Sequence, residues 1–223
     1  MFIKKVCFIS VIFAVTSAAP RRTSRSTVPI WHVPCGEDPN LEAISSENLE
    51  EEIKSNLESL KLQHQLTLSD YLNRDYDYLY ERVRIGIHDY QYIPNWLPSK
   101  KDMNLVRRLA NANSQTIINH FPKLHMDLQK FAVAFEELIE DEPNIQTQNA
   151  LRTTQLYLTM MLCEVESHIV ALPSLRLPTR VERSIMNSIE RNPVDDTRRL
   201  IRDWGVLLKY RDYLHAWRHV FNY

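Results

Sequence analysis

Between Met103 and Leu138 the chain places Met103, Val106, Ala110, Asn113, Ile117, Phe121, Leu124, Leu128, Phe131, Phe135 and Leu138 three or four residues apart. Such a stripe lies along one face of an α-helix and forms the seam between helices of a left-handed bundle. It predicts helix over about 102–141. Pro122 falls inside this segment. Proline has no amide hydrogen to donate and clashes with the preceding turn, so a kink or break is expected near His120. Ser99 and Asp102 are placed to cap the start, and Pro143 to stop the end.

Three further segments read as helices. From about Ser46 to Arg82 a less regular apolar series runs through Ile53, Leu57, Leu60, Leu68, Leu72 and Leu79, with Val83 just beyond. Glu50, Glu51 and Glu52 sit where negative charge favours a helix start, and Thr67–Asp70 is a weak point. From about Ile145, the residues Leu151, Leu158, Leu162, Val165, Ile169 and Leu172 mark a stripe that Pro173 ends. From about Asp195 to Phe221, Leu200, Leu207, Leu214 and Phe221 recur every seven residues. That strict repeat drifts about 20° per heptad on a straight helix, so it implies supercoiling around neighbours. The link at Pro143 is short, whereas those over about 84–99 and 173–193 are long. A short link makes its helices antiparallel. A long one reaches about 50 Å when extended, enough to run the length of a helix. The expected fold is all-α, an up-up-down-down four-helix bundle with two long crossover links. A short helix is expected within 179–189.

Composition narrows the function. Only Gly36, Gly86 and Gly205 are glycine among 223 residues. A phosphate-cradling loop needs several glycines close together, and a hairpin-rich sheet wants more of them. Lys4 and Lys5 precede the apolar run Val6–Val15, and Thr16-Ser17-Ala18-Ala19 supplies small residues for cleavage. This is a secretory pattern over 1–19, too short to span a bilayer. The expected organisation is that leader, an arm over 20–44 that is partly disordered, and a helical domain over 45–223, secreted to the extracellular space. With Cys7 in the leader, Cys35 and Cys163 remain. In a secreted chain this pair suggests one disulfide, the alternative being two thiols available for intermolecular pairing. No Asn-X-Ser/Thr sequon occurs. Arg21, Arg22 and Arg25 form either a solvated tail or a weak adhesion site for acidic extracellular polysaccharide.

Catalytic groupings are sparse. His215 and His219 lie one helical turn apart without the acidic helper of a zinc protease. Ser167 and His168, beside Glu164 and Glu166, are helix neighbours that point in different directions. Glu50–Glu52 reads as a solvated face and Met160-Met161 as core filling. No enzyme activity, cofactor, metal, nucleic-acid partner or membrane insertion is expected. The last segment holds the better clue. Tyr213 and Val220 project roughly opposite the stripe centred on Leu207 and Leu214, which makes them candidates for a partner surface. Arg211 and Arg218 lie near the stripe's edge, suited either to a partner or to pairing within the bundle. Trp96, between Pro94 and Pro98, is either exposed or a lid on the core.

The first segment, LEEEIKSNLESLKLQHQLTLSDYL over 49–72, and the ending RDYLHAWRHVFNY over 211–223 resemble the first and last helices of long-chain helical cytokines. The likeness is to the ciliary neurotrophic factor and cardiotrophin-like group, and within it to insect Unpaired-type ligands. It implies a signalling ligand that binds and dimerises a cell-surface cytokine receptor to activate JAK/STAT signalling. One receptor patch would combine Trp96 with Arg211, Arg218 and their neighbours. A second would use the outward faces of the first and third helices, and a third the start of the last. The competing expectation is a secreted helical carrier of a lipid or other apolar molecule, which requires an internal apolar cavity of several hundred Å³.

Overall fold

The computed structural model describes residues 27–36, 49–74, 76 and 92–223. The expected leader over 1–19, Arg21, Arg22 and Arg25, and Leu79 and Val83 of the first segment lie outside the described residues. Among the described residues all regular structure is helical. The α-helices are α1 (Leu49–Leu72), α2 (Lys100–Arg108), α3 (Ser114–Ile118), α4 (Phe121–Asp141), α5 (Ile145–Ala171), α6 (Ser188–Arg191) and α7 (Asp196–Phe221). Short 3₁₀ turns occupy Ile30–His32, Leu109–Asn111 and Arg183–Ile185.

Polar side chains set the helix starts. Ser99 and Asp102 close a reciprocal capping box on α2. Asn113, Asn144 and Asp195 accept backbone N–H bonds at the starts of α3, α5 and α7. Asn222 ends α7 in the left-handed conformation, φ 51°, with its N–H bonded to the Arg218 carbonyl.

The expected helix over 102–141 is divided. The break near His120 is present, and Pro122 occupies the first turn of α4, where its missing N–H costs nothing. A second break, not anticipated, follows Leu109–Asn111. Ala112 turns extended and Asn113 caps the Thr116 N–H instead of continuing the ladder. The stripe is weak here because Ala110 and Asn113 are exposed and bury nothing. In α1, helix runs unbroken through Thr67–Asp70, with the Thr67 hydroxyl donating to the Gln63 carbonyl. Residues 179–189 hold the Arg183–Ile185 turn and the start of α6 rather than one continuous helix.

Cross-helix contacts fix chain directions. Ser59 bonds Glu164, and the Tyr76 hydroxyl meets Thr154 Oγ1 at 2.7 Å, so α1 and α5 run oppositely. His125 meets Glu166 at 2.9 Å, and Gln148 Nε2 donates to the Ile139 carbonyl at 2.9 Å, so α4 and α5 do too. The Tyr213 hydroxyl donates to Asp127 at 3.2 Å and Arg202 to Asp141 at 2.9 Å, which opposes α4 and α7. The Tyr71 hydroxyl donates to the Leu207 carbonyl at 2.6 Å while His64 packs on Phe221, which opposes α1 and α7.

The core lies where these four helices meet, filled by Leu60, Phe131, Phe135, Leu158, Leu162, Tyr210 and Leu214. The Tyr210 ring meets Tyr71, Phe131 and Phe135 edge-on, with centroids 5.0–5.4 Å apart. The N-terminal arm is pinned at two points. Trp31 is fully buried, and Cys35 and Cys163 stand at disulfide distance, S–S 2.14 Å, in the expected intramolecular pairing. The segment beneath Trp31 is itself held: the Val181 N–H donates to Gln129 Oε1 at 2.9 Å, and Arg183 grips Glu136 at 2.7 Å with its guanidinium 5.5 Å over the Trp31 ring.

Candidate functional site

The side chains proposed for a partner surface divide into buried and exposed. Tyr213 is 0% exposed, its hydroxyl on Asp127 and its ring 5.5 Å from Phe131. Val220 is 8% exposed. The reading of both as outward-facing is therefore corrected. Counting faces around α7 assumed that one side of the helix meets solvent. In fact α2 and the Leu109–Asn111 turn pack on α7 as well as α1 and α4, and a helix covered on several sides buries more than one stripe.

Arg211 and Arg218 remain at the surface, each with a local partner. Arg211 holds Asp212 Oδ1 at 3.1 Å, and Arg218 Nε donates to the Tyr223 carbonyl at 2.9 Å. Trp96 is half-buried against the core edge, and its Nε1 donates to both Glu190 oxygens, at 3.1 and 3.2 Å. The Glu190 carbonyl in turn accepts from Arg202 at 2.8 Å, which sets Trp96 near the level of Arg202. Arg218 lies further along α7 by about 24 Å at 1.5 Å per residue. The structure does not bring Trp96 and Arg218 together.

Several polar clusters escaped the sequence reading. Arg202, 1% exposed, satisfies Asp203, Asp141 and the Glu190 carbonyl at 2.8–2.9 Å. Burial lowers the proton affinity of that guanidinium, but the two carboxylates more than reverse the effect. At the top of α5, Arg180 grips Glu166 with two bonds of 2.5 and 2.6 Å, and His125 lies between Glu166 and Gln129. Burial would raise Glu166, yet the bonds from Arg180 and His125 hold it at about 2. Ser59 and His168 both reach Glu164. The carboxylate stands in the middle, so the imidazole is not placed to take the serine proton. Arg202–Asp203, His125–Gln129 and Glu164–His168 are local pairs, but the links between helices join residues up to 105 positions apart, which no local pattern signals.

Two clefts among the described residues bear on the carrier reading. One of about 400 Å³ is lined by Tyr92, Ile93, Ile189, Glu190, Arg198 and Arg202, with the Arg198 guanidinium 4.9 Å over the Tyr92 ring. The other, about 730 Å³, lies between Ile53, Lys54, Leu57 and Glu58 of α1 and Asn113–Gln115. Both linings carry ionised groups, unlike the apolar vessel a lipid carrier requires.

An apolar strip occurs on the outer faces of α1 and α5. Leu62 and Leu66 are exposed one turn apart on α1, as are Leu156 and Met160 on α5. With α1 and α5 antiparallel and of equal rise per residue, the Ser59–Glu164 contact sets Leu62 near the level of Met160 and Leu66 near that of Leu156. Of the two methionines read as core filling, Met161 is buried and Met160 is not. Glu50 and Glu51 are exposed, as the solvated-face reading requires. Among the described residues, no three or more His, Cys, Asp or Glu side chains are grouped to hold a metal ion, and no helix is long and apolar enough to cross a membrane. Comparison with protein-family models, curated proteins and solved structures finds no match for this chain.

Proposed function

We propose that this protein is a secreted cytokine-like ligand, an up-up-down-down bundle that joins two chains of a cell-surface receptor and activates JAK/STAT signalling. The observation that carries the reading is directional: α1 and α4 each run opposite to both α5 and α7. Two parallel pairs of that kind, joined by long crossovers, characterise the growth hormone and cytokine bundles. The segment that resembles a cytokine first helix coincides with α1 in full. A filled core and a pinned arm favour a rigid ligand, which holds its binding faces at fixed separation so that the first contact raises the effective concentration for the second.

Two faces serve this function. The first is the strip of Leu62, Leu66, Leu156 and Met160, apolar side chains that no described neighbour buries. The second comprises Arg211 and Arg218, about 11 Å apart along α7, with Trp96 a separate contact near the level of Arg202. Tyr213 and Val220 act beneath it as core. The purified secreted chain, added to cells that carry the receptor and a STAT reporter, is expected to raise the reporter dose-dependently. Leu66→Glu with Met160→Glu is expected to abolish that response while leaving helix content unchanged. Silence at saturating dose of the unaltered chain on receptor-bearing cells defeats the proposal. A full response from the double variant removes the α1–α5 face from it.

A further inference from the structure

Helix α2 has an outward face made almost entirely of cations. At 100° per residue, Lys100, Lys101, Asn104, Arg107 and Arg108 fall within about 120° of one another. All five are exposed. Met103 and Val106 point into the core. Asp102, the one acid in this helix, lies on another side. Its carboxylate bonds the Ser99 N–H at 2.9 Å and hydroxyl at 2.7 Å, and it meets Lys123 at 3.3 Å. Burial would raise Asp102, but these bonds hold it at about 2, so its charge is committed inward. Among the described residues no carboxylate pairs with Lys100, Lys101, Arg107 or Arg108. The polar contact made on this face is within it, Arg107 Nη1 to Asn104 Oδ1 at 3.3 Å.

We propose that this face of α2 binds a sulfated polysaccharide chain of the extracellular matrix. The four cations are spread along about 12 Å of helix rather than converging on one point, which suits a linear polyanion and not a small anion. The whole chain carries a net charge of −1, so the attraction is a property of this face and not of the molecule. Anionic membrane is the poorer fit. An interfacial helix inserts its apolar side, and α2 has spent its own on the core, leaving only Leu105 exposed at the margin. Nucleic acid is disfavoured because the face offers no aromatic ring on which bases stack. The inference rests on the secreted reading and is independent of the receptor. It also relocates polyanion binding from Arg21, Arg22 and Arg25 to a structured helix.

The test is binding of the full secreted chain to heparin over a salt series. Substituting Lys100→Gln, Lys101→Gln, Arg107→Gln and Arg108→Gln together keeps good helix formers in place. At physiological salt the fourfold variant is expected to bind at least about tenfold more weakly. Its slope of log K against log salt should flatten by about 3, at about 0.7 per contact as for a single-stranded polyanion. Lys54→Gln, an exposed lysine on α1, should change neither quantity. If the fourfold variant loses helix content, the Lys100/Lys101 and Arg107/Arg108 pairs are tested separately, each with an expected loss of about threefold. The inference is overturned if a folded α2 variant keeps its heparin affinity. It is also overturned if only Arg21→Gln, Arg22→Gln and Arg25→Gln weaken binding, or if phosphatidylserine vesicles or RNA bind this face more tightly than heparin.

Discussion

Trp31 Nε1 donates a 2.8 Å hydrogen bond to the carbonyl of Val181, 150 residues further along the chain. The indole is fully buried, and His32 Nε2 approaches the same carbonyl at 3.1 Å. Trp31→Ala is expected to destabilise the fold by about 3–5 kcal/mol, the usual cost of deleting a buried aromatic. Trp31→Phe should cost less, since it refills most of the space and loses mainly the hydrogen bond. Urea unfolding midpoints of the two variants measure the difference, and equal midpoints would show that volume contributes nothing.

The cystine pairing makes a separate contribution. Cys35 and Cys163 are separated by 128 residues, and closing so long a loop restricts the unfolded chain by about 5 kcal/mol in the entropy model. Cys35→Ser with Cys163→Ser should lower stability by up to that amount. The remaining Trp31 contacts should keep the arm docked in the folded state. Partial proteolysis followed by mass mapping checks this: cleavage within 27–36 before the bundle unfolds would mean that the bridge alone holds the arm.

Gly205 gives a packing prediction. A methyl group placed there would come within 2.4 Å of Ile93 Cγ1 and 2.7 Å of Cγ2. Ile93 is β-branched and stiff, so it cannot swing aside cheaply. Gly205→Ala would gain up to about 1 kcal/mol of helix propensity, yet should lose about 1–3 kcal/mol to overpacking. A lower melting temperature is expected. Adding Ile93→Ala should restore part of it, and no restoration would place the strain elsewhere.

Acid should weaken the fold in two stages. Burial pushes His64 down to about 3 from its ordinary 6.5, although the Leu214 backbone pulls the other way. An unfolded chain therefore takes up a proton near pH 6.5 that the folded chain refuses. The stabilisation is whole above about 6.5 and is lost as pH falls toward 3, at up to about 1.4 kcal/mol per pH unit. Glu166 and Asp102, both held at about 2, add their losses only below about 4.5. His215 is also lowered, first by burial and then by Arg211 and Arg218. His64→Gln should thus flatten, without abolishing, the dependence of unfolding free energy on pH between 6.5 and 5. An unchanged slope would remove His64 from the account.

The long stripes were legible because burial acts on them directly. The helix expected from about Ile145 to Pro173 is α5, the expected end near Asp141 is the end of α4, and Ser99 with Asp102 capped as their chemistry requires. The second break near Asn113 was hidden by spacing alone. Ala110 and Asn113 kept the rhythm of the stripe but offered at most one methyl group to bury, and the asparagine gained more by capping. Leu72 also kept the rhythm and is exposed at the end of α1. The fate of Tyr213 and Val220 could not be read from α7 because it depends on what packs there, a matter for α2 and the turn after it. The cation face of α2 was visible in principle, since Lys100, Lys101, Arg107 and Arg108 share one side at helical pitch. It stood out only once α2 proved to be a separate short helix.

The partners of the arm are synthesised long after it. Trp31 and Cys35 leave the ribosome well before Cys163 and Val181, so the arm stays undocked while the rest is made. A chain cut short before residue 163 has no bridge to close, and one cut short before residue 181 has no acceptor for its indole. Truncated products would therefore display a free thiol, an exposed tryptophan, or both, whereas the finished molecule hides each behind its own second half.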